Sequence, residues 1–244
     1  ERGNLLHDSL AAIWRKLGNS NQLANTDDNQ LRLLVGEITQ EIITHAQSKN
    51  PRKLGKVYCE LEQERLSRLL YEWLNQERQR PAFNVVAIEQ QENVDFAGLQ
   101  LKLRIDRIDQ FSNGDRLLID YKTGSASSKS WLGERPTEPQ LPLYAVTAKA
   151  DEAITAVSFA VINAKQQTWD GLGDLQGDSA NQSGVKPAEN WVLQLDEWRT
   201  VLQKLADDFI QGDARVDFVD KKQEGYATDL LPLNRLADAA ALEV

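Results

Sequence analysis

The chain has 244 residues, enough for one large domain with a substantial core, and its 41% hydrophobic and 27% charged residues are ordinary for a globular protein. No apolar run approaches the ~20 residues of a membrane-spanning helix, and a single cysteine excludes a disulfide framework, a multi-thiolate zinc site and an iron–sulfur cluster. A net charge of −9 argues against a surface that coats nucleic acid generally, though not against a local basic groove.

The chain starts Glu1-Arg2-Gly3-Asn4, without the basic-then-apolar pattern of a signal peptide, so a cytoplasmic location is expected. It lacks an initiating Met and contains Met 0, as expected of a fragment of a longer polypeptide. Residues 5–17 space Leu6, Leu10, Ile13, Trp14 and Leu17 as a helix that stops at Gly18. A polar loop over 19–28 leads to a second helix over 29–47. A third, amphipathic helix over 60–79 carries Leu61, Leu66, Leu69, Leu70, Trp73 and Leu74 and is stopped by Pro81. Cys59, at its start, has no histidine partner nearby and reads as a small buried side chain. Arg52, Lys53, Lys56, Arg65, Arg68, Arg78 and Arg80 could line a basic groove; their Glu neighbours fit solvated helix faces at least as well.

The pattern then changes to strands. Val85, Val86 and Ile88 mark one over 84–90, and Leu99, Leu101, Leu103 and Ile105 alternate through a second over 99–108. Asn113-Gly114 is a hairpin turn, and 116–121 is the returning strand. A helix over 137–149, a buried strand over 153–162, a polar Gly/Ser-rich loop over 170–188 and a long helix over 191–210 complete the order. The expected fold class is α/β: a mixed sheet flanked by helices, with a helical N-terminal part. One domain, 1–244, divides into a helical part (1–80), a sheet core (81–165), a loop (166–190) and a C-terminal helix with its tail (191–244).

The chemistry concentrates in the hairpin. Asp106 lies near the end of one strand, while Asp120 and Lys122 are two apart on the next and share a face. A cross-strand register can set the two carboxylates a few ångströms apart. They repel unless a cation sits between them, and hard oxygen ligands suit Mg²⁺ or Mn²⁺. A lysine beside such a site can orient water or stabilise a charged phosphate. By spacing alone, Asp120 and Lys122 read equally well as a surface salt bridge. Asp106 and Asp109 face opposite sides of a regular strand, and Asp109 is expected to pair with Arg107 or Arg116.

Leu118-Ile119-Asp120-Tyr121-Lys122-Thr123-Gly124 resembles the catalytic motif of PD-(D/E)xK nucleases, particularly the RecB-type branch seen in RecB, AddB and Cas4. Arg104-Ile105-Asp106-Arg107-Ile108-Asp109 is similar to that branch's Gly-x-Ile-Asp-Arg-Ile-Asp strand, Gln140 and Tyr144 to its Gln-x-x-x-Tyr helix, and Gly3 and His7 to its Gly-x-x-x-His helix. The resemblance implies a restriction-endonuclease-like fold. It implies metal ligation by His7, Asp106, Asp120 and the Tyr121 carbonyl, with Lys122 acting on the attacking water. Gln140 and Tyr144 would line the site and touch DNA, and Glu89 would be a subsidiary acidic contact. It further implies a Mg²⁺-dependent (or Mn²⁺-dependent) deoxyribonuclease for DNA repair or recombination, acting as an exonuclease rather than an endonuclease. Its partner would be a helicase domain or subunit. Two departures stand out: Arg104 replaces the usual glycine, and 212–244 lacks the cysteines with which many relatives bind an iron–sulfur cluster. The alternatives are a nuclease fold used for DNA binding or subunit docking without catalysis, and a small-molecule phosphohydrolase.

Overall fold

The computed structural model describes residues 2–213; the expected tail lies outside the described residues. Four helices come first: α1 (Arg2–Leu17), α2 (Ser20–Asn25), α3 (Asp28–Lys49) and α4 (Lys56–Glu77). In α1 the buried residues Leu6, Leu10, Ile13, Trp14 and Leu17 form one stripe. Gly18 follows at φ +70°, a conformation that needs no side chain, and ends the helix. Asp27 and Gln30 form a capping box at the start of α3, so each satisfies the other's backbone N–H.

The sheet follows as β1 (Phe83–Phe96), β2 (Leu99–Phe111), β3 (Arg116–Lys122), β4 (Ala156–Ile162), β5 (Gln167–Gly173) and β6 (Val185–Pro187), hydrogen-bonded in chain order. β1–β2, β2–β3 and β4–β5 are antiparallel, whereas β3–β4 and β5–β6 are parallel. A parallel neighbour requires a crossover connection, and α5 (Gln140–Thr147) lies in the segment that joins β3 to β4. The last helix is α6 (Trp191–Ile210). One apolar cluster packs α1, α3 and α4 against Leu117, Ile119 and Tyr121 of the sheet; a second packs α5 and α6 against Leu118, Val157, Phe159 and Val161. The fold is thus a mixed six-stranded sheet between helical layers, as the fold class expected. None of the described helices is long and apolar enough to cross a membrane.

Several elements differ from expectation. The 19–28 loop contains α2, β1 extends six residues beyond Gln90, and α5 is shorter than the expected 137–149 helix. The 166–190 segment is not a plain loop, since it holds β5 and β6. Its glycines mislead because they serve close packing. A Cβ on Gly171 would stand 2.6 Å from the Val157 carbonyl oxygen, and one on Gly173 2.3 Å from the Ala156 Cβ.

Candidate active site

The β2–β3 ladder runs from Gln110 opposite Arg116 to Arg107 opposite Ile119 and ends there. The next residues in register are Asp106 and Asp120. At this point the Asp106 carboxylate takes the place of a backbone acceptor: the Tyr121 N–H donates to its Oδ2 at 2.9 Å. On the other side, Ile88 pairs with Arg107 and Gln90 with Ile105, which brackets Glu89 opposite Asp106. Glu89 has φ +51°, in the left-handed region that non-glycine residues rarely occupy. Three neighbouring strands therefore bring Glu89, Asp106 and Asp120 to one region of the sheet.

Helix α1 supplies the imidazole. A Cβ added to Gly3 would meet the Thr123 hydroxyl at 3.7 Å, so the helix passes close to the end of β3. One turn on, His7 Nδ1 lies 3.3 Å from Asp106 Oδ2, and the His7 ring meets the Tyr121 ring edge-on at 5.9 Å. Ligand atoms of His7, Glu89 and Asp106 all fall within 4.8 Å of one another. Glu89, given a subsidiary place from sequence, thus sits with the principal residues. An open cavity of about 600 Å³ is lined by His7, Asp106, Asp120, Tyr121, Lys122 and Gln140, among others.

The electrostatics follow from packing. Asp120 is nearly buried, and burial is the main cause that pushes its carboxyl up to about 6; the charge of Asp106 adds to this and Lys122 opposes it. Lys122 Nζ lies 3.0 Å from Asp120 Oδ2 and 3.2 Å from Glu138 Oε2. Burial alone would lower Lys122, but Asp120 and then Glu138 hold it above its usual range, so it is a firm cation. Burial likewise disfavours charged His7, yet Asp106, Asp120 and Glu89 outweigh it and raise His7. Glu138 and Arg104 went unnoticed as site residues. Arg104 lies two positions before Asp106, so the two-residue strand period could have found it; Glu138 lies in an irregular segment that offers no such signal.

The donor set fits a hard divalent cation. The convergent set comprises the carboxylates of Glu89 and Asp106 and the His7 imidazole; Asp120 lies outside it, its buried Oδ2 without a well-directed hydrogen bond among the described residues. Gln140 reaches the site: its Nε2 donates to the Arg104 carbonyl at 3.0 Å. Tyr144 does not line the same cavity. It is buried in the α5–α6 core, its hydroxyl has no hydrogen-bond partner among the described residues, and it borders a separate cavity of about 250 Å³.

Behind the site lies a buried ion network. Arg107 donates to both oxygens of Asp109 at 2.6 Å, to Glu77 at 2.8 Å and to the Tyr121 hydroxyl at 3.0 Å. Arg80 joins from 2.5 Å to Glu77 and 2.7 Å to Asp109. Two cations and two anions balance, so none is left uncompensated in the interior. Asp109 pairs with Arg107, as expected from its face of the strand. Arg80 is therefore no part of a basic groove. Arg65 pairs with the buried Glu62 and Arg78 with the exposed Asp28, so only the second pair fits a solvated helix face; Cys59 is buried.

A profile of the PD-(D/E)XK nuclease superfamily matches residues 1–226. No protein of curated function matches the chain.

Proposed function

The chain belongs to the PD-(D/E)XK nuclease superfamily, and from that premise we propose that it is a Mg²⁺- or Mn²⁺-dependent deoxyribonuclease of the RecB type. The observation that supports this most is the convergence of His7, Glu89 and Asp106 within 4.8 Å, with Asp120 and Lys122 on the adjoining strand. His7, Glu89, Asp106, Asp120 and the Tyr121 carbonyl would hold the ion. When bound, the ion would stabilise charge on the phosphate and make a water more acidic.

The chain's own groups supply the rest. The Tyr121 N–H fixes the Asp106 carboxylate in one rotamer. Lys122, kept protonated by Asp120 and Glu138, donates to and orients the attacking water and offsets the negative charge that grows on phosphorus oxygens. Gln140, anchored on Arg104, positions the strand, while Tyr144, buried in the core, supports α5 instead of contacting DNA. The water oxygen bonds to phosphorus as the bond to the 3′ oxygen breaks, which yields a 5′-phosphate and a 3′-hydroxyl. End-directed cleavage within a helicase-linked cytoplasmic repair or recombination protein is the setting this reading assigns.

The test uses labelled single- and double-stranded DNA with and without Mg²⁺. Lys122→Ala and Asp120→Ala should lower cleavage by at least about 10²-fold while the circular dichroism spectrum is unchanged. Equal cleavage by the variants and the wild type would refute the assignment.

A further inference from the structure

The region around the cavity holds more carboxylates than cations. Asp8, Glu89, Asp106, Asp120 and Glu138 face Arg104, Lys122 and His7. A phosphodiester is itself an anion, so this balance must shift before one can settle. Lys122 is held from two sides, by Asp120 and Glu138. Arg104 is placed differently. Its backbone carbonyl is tied by Gln140, but its side chain is 55% exposed, and its Nε donates to a carboxylate oxygen of Glu89, which is 10% exposed. Among the described residues the Arg104 side chain makes no other hydrogen bond. A guanidinium carries five N–H donors in a planar fork that matches phosphate, so four remain for another anion. Meanwhile Glu89 is one of the three residues whose ligand atoms converge. A divalent cation and the guanidinium would compete for one carboxylate, and would repel each other if both were there.

We propose that Arg104 is an exchangeable counter-ion: it neutralises Glu89 until a divalent cation takes that carboxylate, and its freed guanidinium then binds the phosphodiester of the substrate strand. Metal and nucleic acid thereby bind with positive coupling. The idea rests on the reading of His7, Glu89 and Asp106 as metal ligands. It concerns binding alone and includes no covalent step.

The experiment measures Mn²⁺ binding by calorimetry for the 244-residue chain and for Arg104→Gln, Arg104→Lys and Glu89→Gln, without DNA. It then follows a phosphorothioate-linked single-stranded oligonucleotide by fluorescence anisotropy across a salt series, in Mn²⁺ and in EDTA. Arg104→Gln should bind Mn²⁺ about two- to fivefold more tightly, the gain from removing one partly exposed ion pair. In Mn²⁺ its oligonucleotide affinity should fall, and the slope of log K against log salt should shrink by about 0.7, the loss of one phosphate contact on a single strand. In EDTA the two slopes should coincide, and Arg104→Lys should restore the slope in Mn²⁺. If Arg104→Gln binds Mn²⁺ no more tightly, or its slope in Mn²⁺ equals that of the wild type, the counter-ion role is wrong. If Glu89→Gln binds Mn²⁺ as tightly as the wild type, the ligand reading beneath it fails as well, and the two failures are thus told apart.

Discussion

Arg107 and Tyr121 meet beneath the candidate site, Nη1 of the arginine donating to the phenol oxygen at 3.0 Å. Each directly follows a site carboxylate in the chain: Arg107 follows Asp106, and Tyr121 follows Asp120. The strand pleat sends the carboxylates one way and their neighbours the other. The ion network and the site therefore stand back to back on the same two strands, and the network holds in place the backbone that aims the carboxylates.

This arrangement predicts that Arg107→Met, which leaves the buried Glu77 and Asp109 to share the single cation Arg80, destabilises the chain by about 3–5 kcal/mol in urea denaturation. Tyr121→Phe removes only one hydrogen-bonding hydroxyl and should cost about 1 kcal/mol, with cleavage retained. A loss for Arg107→Met no larger than that for Tyr121→Phe would show that the network is not holding the strands.

A second prediction concerns pH. Asp120 is raised from 3.8 to about 6, so the metal-free folded chain holds its proton more tightly than the unfolded chain does. Stability should therefore fall as pH rises from about 4 through 6. His7 is also raised, so its contribution is present below 6.5 and is lost as pH climbs through its higher folded value. Glu77 is lowered and loses its contribution only at more acid pH, below this window. Melting temperatures in EDTA should decline from pH 4.5 to 7.5, and Asp120→Asn should flatten the lower half of that decline. A flat profile for the wild type would contradict the buried-carboxylate account.

The same groups must shed protons to hold a cation, so Mn²⁺ affinity should rise with pH through about 6. His7→Ala and Glu89→Gln should each weaken Mn²⁺ binding by more than the roughly 10–100-fold seen when an outer partner of a metal ligand is lost. Calorimetry at pH 5.5 and 7.5 checks both statements. A Glu89→Gln affinity within a factor of about two of the wild type would remove Glu89 from the ligand set.

Gly171 offers a test away from the site. Gly171→Ala forces a methyl group toward the Val157 carbonyl, 2.6 Å away, and should destabilise the chain by about 1–3 kcal/mol or prevent folding. Were the segment a free loop, the substitution would be neutral in thermal melting.

The legible parts of this molecule were those set by periodicity. The helical stripe of α1, the alternation in β2 and the shared face of Asp120 and Lys122 need only the spacing of residues along one element. What depended on partners was harder. Glu89 reaches Asp106 through a register that includes an irregularity between Val85 and Ala87, which spacing does not reveal. β5 and β6 were masked by glycines that tertiary packing requires. The network of Glu77, Arg80, Arg107 and Asp109 looks like ordinary surface charge until α4 is laid against the sheet.

The residues at the candidate site lie far apart in the chain, at positions 7, 89, 106 and 120, on one helix and three strands. Bringing residue 7 to residue 120 closes a long loop, and that closure carries an entropic cost. A partly folded chain with β2 and β3 already paired would lack the imidazole and the opposing glutamate. Any power to cut would thus be acquired only as the N-terminal helix docks.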